Sequence, residues 1–485
     1  MLGVLLLFLA TAGLVWFLET PFRTGLWHIP GPWWRRYTDI FQVLDAYNGR
    51  TCQVIQRLHK EYGPVVQVGP RTVMFSKPSM IEKVYATRAP FPKSYHWRPL
   101  RTELKGVHYP SLIGTDDTKT HTALKRPVSG IYSMSNVTKS ESFINECILQ
   151  LVKKLDQEFN GKEKYLPVFT LRSLPTLDSS EAKLIERECF EVSMQLKHTE
   201  LWYGDACMKF RAMADISYAA CMPWVHSLLK GSPITKVFEK RMGSFPRRAR
   251  ELIQSRRANG AAKTRDREDL LSQILDTQKK HPNVVDERVV HGYATTPLLA
   301  GADTVTVGLT SIVYFVGKNP EVAAKLHAEF TKCPTWMRSF GSHSAPGLTL
   351  ADGHTLPPGT AVAVSGWSTH FDKDAYGDDV HDFKPERWLK RHSESDDDYA
   401  ERLHRMGKAD LTWGAGDRAC MGKNIAKCEM YKLIATLYSI SDIQLVDPTK
   451  EWKIKETVLA KQEGVEARIT FRPGASLDQL VQGDA

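Results

Sequence analysis

The chain has 485 residues, 42% hydrophobic and 25% charged, the make-up of an ordinary globular core and surface. Length alone allows about three average domains, yet no stretch has the composition of a linker between such domains. A formal net charge of +10 points to anionic company. The basic residues are scattered and no nucleic-acid module is recognisable, which sets nucleic acid aside in favour of an acidic lipid surface or an acidic protein partner. Eight cysteines, no two of them spaced Cys-x-x-Cys, suggest neither a disulfide framework nor a zinc site.

Met1 to Leu18 is almost wholly apolar, interrupted only by Thr11 and closed by Glu19. Such a run reaches the lower length limit of a bilayer-spanning helix. A cleaved signal peptide is the rival, with Ala10-Thr11-Ala12 as its cleavage site. The run continues through Val15, Trp16 and Phe17, no basic residue precedes it, and Arg23, Arg35 and Arg36 follow. That pattern favours an anchor at residues 1–19 with the bulk of the chain on the cytosolic side. His28-Ile29-Pro30-Gly31-Pro32 is a stiff, poorly helical hinge within 20–40. Trp33 and Trp34 suit a membrane interface or a core.

Beyond the hinge, 41–485 reads as one domain. Val65–Gly69 and Thr72–Ser76 alternate about a Gly-Pro-Arg turn and predict a hairpin. His121 opens a helical pattern with Lys125 one turn later; a solvated basic face is one reading of it. Residues from about Phe169 to Lys209 are charge-mixed with weak periodicity and yield no functional role, and Met222-Pro223-Trp224 breaks the helical pattern that follows them.

Asp286 to Val316 predicts one long helix, apolar all round and therefore buried. It contains Ala300-Gly301-Ala302-Asp303-Thr304. An Asp-Thr pair inside a buried helix is costly unless its polar groups are satisfied. Gly301 removes a side chain where a ligand could approach, and a loosened helical ladder there could admit water. A Thr bonded back to its own helix, with Asp303 in an ion pair, is the purely structural alternative. Pro297 predicts a bend. Later come the strand Ala361–Val364, the segment Phe383-Lys384-Pro385-Glu386-Arg387-Trp388, and an alternating strand ending at Phe471.

The stretch most informative about chemistry is Trp413-Gly414-Ala415-Gly416-Asp417-Arg418-Ala419-Cys420-Met421-Gly422. Glycines on either side of Cys420 let backbone pass close to something flat and bulky. A thiolate held at such a turn can ligate a haem iron, tuned by nearby backbone N–H donors. Arg418 can reach an acidic edge of the cofactor. A structural cysteine in a glycine-rich turn is the alternative.

This loop resembles the haem-binding signature of the cytochrome P-450 family, with Trp413 where phenylalanine is usual. The resemblance extends to Ala300–Thr304, similar to the family's oxygen-activating motif, and to Phe383–Trp388. It implies a mainly α fold with small β-sheets: a single helical domain around a buried haem (iron protoporphyrin IX), with an N-terminal membrane anchor. Cys420 would ligate the iron. Trp413, Gly414, Gly416, Arg418, Gly422, Ala300 and Gly301 would surround the cofactor, and His121 and Lys125 would reach its propionates. Thr304 would donate a hydrogen bond to bound dioxygen, and Asp303 would help relay protons. The implied enzyme is a monooxygenase of the endoplasmic reticulum membrane, resembling fungal members of secondary metabolism. It would act on a small apolar substrate with O2 and with electrons from NADPH through a flavoprotein reductase.

One family signature is missing. No glutamate in the chain has an arginine three residues later, so the Glu-x-x-Arg helix that would pair with Arg387 is absent. Its expected place, Cys333 to His343, is short and polar. Shifting the frame by one base across Lys332-Cys333-Pro334-Thr335-Trp336-Met337-Arg338 forces an aspartate where that helix usually begins. The expectation is a shifted frame with a lost segment, as a misplaced splice boundary would give, and an Arg387 left without partners. The alternative product is then catalytically defective.

Overall fold

The computed structural model describes residues 17–87, 90–94, 96–97, 101–104, 107–160, 166–167, 244–258, 269–326, 342–343, 348–350, 353–456 and 460–472, with Thr11, Leu14 and Val15. The weakly periodic stretch 169–209, the break at Met222–Trp224, and residues 333–341 lie outside them. So do residues 1–10, most of the apolar run read as an anchor. Among the described residues, no helix is long and apolar enough to cross a membrane.

The described chain is mainly helical with small sheets. Three helices make the main core: Glu141–Phe159, the long helix Glu287–Lys318, and the cysteine helix Lys423–Ile440. On the cysteine helix, Met430, Leu433, Ile434 and Leu437 repeat at three- and four-residue intervals. They form one apolar stripe buried against Leu151 and Leu155 of the first helix and Leu309 and Val313 of the long one. The cysteine helix ends at Ser441, whose hydroxyl donates to the Leu437 carbonyl at 2.7 Å as the backbone turns extended. The long helix starts where expected. Asp286 caps it, its carboxylate accepting the Val289 amide at 2.9 Å, and the helix runs on through Pro297 to Lys318.

The hairpin is present: Val65–Gly69 pairs antiparallel with Thr72–Phe75, with a register shift between Gln67 and Gly69. Thr72–Phe75 also pairs in parallel with Ala361–Val364, which pairs antiparallel with Ser342–His343. Ala361–Val364 is buried throughout, as an inner strand covered on both faces should be. Its cluster also holds Leu26, Phe75, Leu356 and Leu411, the last at the entry to the cysteine loop. A second sheet joins Glu466–Phe471 to Ser441–Leu445 and Leu166–Pro167.

Candidate functional site

The cysteine loop is built by backbone bonds that need its glycines. The Leu411 carbonyl accepts the Gly414 amide at 2.9 Å, the Gly416 carbonyl accepts Ala419 at 3.2 Å, and the Trp413 carbonyl accepts Cys420 at 2.7 Å. Gly414 and Gly416 take φ of +68° and +61°, the left-handed region that glycine enters without cost. Gly416 has a second reason: a Cβ there would lie 1.8 Å from the Tyr85 carbonyl oxygen. Trp413 packs against the core formed by the long helix and the cysteine helix.

Cys420 sits just ahead of the cysteine helix. Burial pushes its thiol up, while backbone donors of Gly422 and Lys423 pull the other way. Metal coordination would favour the thiolate at such a buried position. Tyr132 lies near enough for the sulfur to push its phenol up further, after burial as the main cause. Its carbonyl accepts the Asn424 side chain at 2.9 Å, tying that turn to the cysteine helix.

Beside the loop lies the buried Arg418 guanidinium, with His121 and Lys93 close by. None of the three guanidinium nitrogens of Arg418 has a hydrogen-bond partner among the described residues. Burial lowers its pKa, against the pull of Asp417, Asp117 and Asp116. His121 is 5% exposed, 3.5 Å from Asp417. Burial, then Arg418 and Lys93, push it down to about 3. Lys93 is 8% exposed, and burial and Arg418 lower it to about 7. Its ammonium donates to the carbonyls of Leu112 at 2.9 Å and Ile113 at 2.7 Å and lies 4.4 Å from the Trp97 ring centre. A buried guanidinium without partners is expensive, so Arg418 fits an anionic edge, such as a carboxylate of a planar cofactor beside Cys420.

The helix carrying His121 runs from Thr118 to Val128, capped by Asp117 three residues earlier than its sequence pattern suggests. It is not a solvated basic face at these positions: His121 is buried and Lys125 is engaged. The Lys125 ammonium donates to the Asp417 carbonyl and lies 3.4 Å from its carboxylate. It therefore braces the loop. Sequence reading missed Lys93 and Asp417. Asp417 stands at a free position of the loop signature, and Lys93 carried no motif at all.

On the long helix, the Thr304 hydroxyl donates to the Ala300 carbonyl at 3.0 Å, with Gly301's carbonyl at 3.4 Å. The helix assignment runs through these residues without a break. Thr304 takes the back-bonded alternative because its hydroxyl can satisfy itself on the preceding turn. The Asp303 side chain lies outside what is described.

Arg387 is not left without partners. Its guanidinium donates to Asp379 Oδ1 at 2.6 Å, to the Asp379 carbonyl at 2.7 Å and to the Tyr376 carbonyl. Lys384 and then Arg387 hold the Asp379 carboxyl down to about 2. Arg402, paired with Glu394 at 2.6 Å, donates to the carbonyls of Arg387 and Leu389. A local carboxylate thus occupies Arg387, which corrects the expectation drawn from the missing helix.

The family model described as Cytochrome P450 matches residues 29–334 and 339–467. Cytochrome P450 monooxygenase cfoH of Aspergillus candidus is 28% identical over 504 residues, covering 97% of this chain and 93% of its own. Cytochrome P450 monooxygenase vrtE of Penicillium aethiopicum is 25% identical over 509 residues, covering 96% and 93%. Cytochrome P450 monooxygenase gsfF of the same species is 28% identical over 517 residues, covering 96% and 99%.

Proposed function

Because the chain belongs to the cytochrome P450 family, whose members are haem oxidoreductases, we propose that Cys420 is its iron ligand and that it hydroxylates or otherwise oxygenates a small apolar organic molecule. Bound haem supplies the activation of O2, so that one oxygen atom enters the substrate and the other leaves as water.

The chain's own residues have the following parts in this reading. The Gly422 and Lys423 amides donate to the Cys420 sulfur and temper its electron donation. Arg418 pairs with a cofactor carboxylate, with Lys93 and His121 beside it, while Lys125 and Asp417 hold the loop in place. Trp413, Gly414 and Gly416 shape the loop that passes near the cofactor. Ala300 and Gly301 would leave room for the cofactor on the long helix. Thr304, released from the Ala300 carbonyl, offers its hydroxyl to dioxygen, and Asp303 passes protons inward. Electrons come from NADPH through a flavoprotein reductase drawn to the basic chain.

The membrane reading is supported by exposed Phe22, Trp27, Trp33, Trp34, Ile40 and Leu44, all close to the apolar N-terminal run. Aromatic side chains favour the bilayer interface. In this reading residues 1–19 span the endoplasmic reticulum membrane once, 20–40 are the hinge, and 41–485 form the cytosolic catalytic domain. The relatives are fungal cytochrome P450 monooxygenases, in keeping with the fungal resemblance.

The observation that carries the proposal is the buried, unpartnered Arg418 guanidinium two residues before Cys420. The test is haem uptake by the full chain, followed by absorbance of the reduced, CO-bound form. A Soret band at the thiolate-ligated position supports the enzyme. A second reading, a catalytically defective or mis-spliced product, is favoured by the interruption of the family match between 334 and 339, where the sequence lacks the Glu-x-x-Arg signature. A chain that takes up no haem supports that reading, and an unbroken transcript encoding Cys333 to His343 as written removes the splicing explanation.

A further inference from the structure

Leu411 opens the cysteine loop, and its backbone amide donates to Nε2 of His370 at 2.8 Å. The His370 side chain is 9% exposed and ends the short helix Gly366–His370. That helix is seated on the buried sheet, the Ser365 amide donating to the Phe75 carbonyl at 2.8 Å. A backbone N–H can only donate, so Nε2 is the acceptor of this bond. The same nitrogen lies 3.4 Å from Asp410 Oδ1, and that oxygen accepts the Thr412 amide at 2.8 Å. Successive amides at the loop entry are therefore held by side chains, one from the residue just before the loop and one from a separate helix.

The Leu411 side chain is buried in the cluster around Phe75 and Val364, so its amide sits at the edge of an apolar core. From Leu411 the bonds run onward: its carbonyl takes the Gly414 amide, and the Trp413 carbonyl takes the Cys420 amide. His370 stands at the head of this series, and the cysteine stands at its end.

We propose that His370 is a positioning residue for Cys420, its ring nitrogen fixing the loop entry and thereby the place of the sulfur. This rests on the reading of Cys420 as the iron ligand. Glutamine puts an acceptor oxygen near the place of Nε2, whereas leucine fills the space without one. The experiment compares haem-loaded full-length wild type, His370→Leu and His370→Gln by reduced, CO-bound absorbance and by amide hydrogen exchange across Leu411–Gly414. In His370→Leu with haem retained, the thiolate-ligated fraction should fall at least about threefold and exchange should quicken at least about tenfold, with His370→Gln within about twofold of wild type in both. A His370→Leu protein that equals wild type in band and exchange overturns the proposal, as does a His370→Gln protein as impaired as the leucine variant. If His370→Leu is recovered only as aggregate, soluble His370→Gln with the wild-type band supports the proposal, and equally aggregated His370→Gln overturns it. Wild type lacking the thiolate band overturns the iron-ligand reading and this proposal together. A normal wild-type band beside an unaltered leucine variant overturns this one alone.

Discussion

The Cys420 amide donates to the Trp413 carbonyl at 2.7 Å, closing the loop on itself so that the sulfur emerges where the following helix begins. Two glycines with positive φ lie between these residues, and the closure depends on them.

Gly416→Ala tests that dependence. The new Cβ would face the Tyr85 carbonyl oxygen at 1.8 Å in a left-handed conformation that alone costs about 1–2 kcal/mol. The expected outcome is a loss of about 2 kcal/mol or more in urea unfolding, with haem content per chain falling alongside it. Wild-type stability would mean that the loop and Tyr85 do not meet as described.

Arg418→Leu should act in opposite directions on the empty and the loaded protein. Replacing a buried, unpartnered charge by an apolar group leaves the haem-free chain equally stable or stabilises it by about 1 kcal/mol. Haem affinity, measured by titration, should fall about tenfold or more, equivalent to about 1.4 kcal/mol. Arg418→Lys should recover only part of it, since a point charge replaces a planar fork.

Acid should weaken the segment around Arg387, which Arg402 and Glu394 hold. Arg402, against the opposing effect of burial, holds the Glu394 carboxyl down from 4.5 to about 2. A depressed carboxylate contributes stability that is complete above its unfolded pKa and is lost as pH falls through its folded one. The wild-type advantage over Glu394→Gln in urea midpoint should therefore be full at neutral pH and disappear between pH 4.5 and about 2. An advantage independent of pH across that window would contradict the pairing.

Thr304→Val separates structure from chemistry. The hydroxyl now returns to the Ala300 carbonyl at 3.0 Å, a bond that contributes little to a helix, so stability should change by less than about 1 kcal/mol. Product formed per NADPH consumed should nevertheless fall several-fold. Unchanged coupling would remove Thr304 from the proposed oxygen chemistry.

What could be read in the sequence follows from how local each constraint is. The long helix was legible because its cap, Asp286, adjoins a continuous apolar pattern, and the cysteine loop because its glycines and Arg418 lie within ten residues of one another. Lys93 was not legible: tertiary folding brings it to Arg418, and nothing in its neighbourhood marks a buried lysine. Arg387 misled for another reason. Its expected partners lay on a missing helix, but Asp379, in the same local turn, supplies the carboxylate. Thr304 was legible as a residue and not as a rotamer, because back-bonding and ligand contact use the same hydroxyl.

The central claim is that the Cys420 sulfur holds the haem iron, and the most direct measurement is the reduced, CO-bound spectrum of wild type against Cys420→Ala at equal haem loading. The account expects the thiolate band in wild type and its complete loss in the variant. A haem-bearing Cys420→Ala protein with the wild-type spectrum would contradict it.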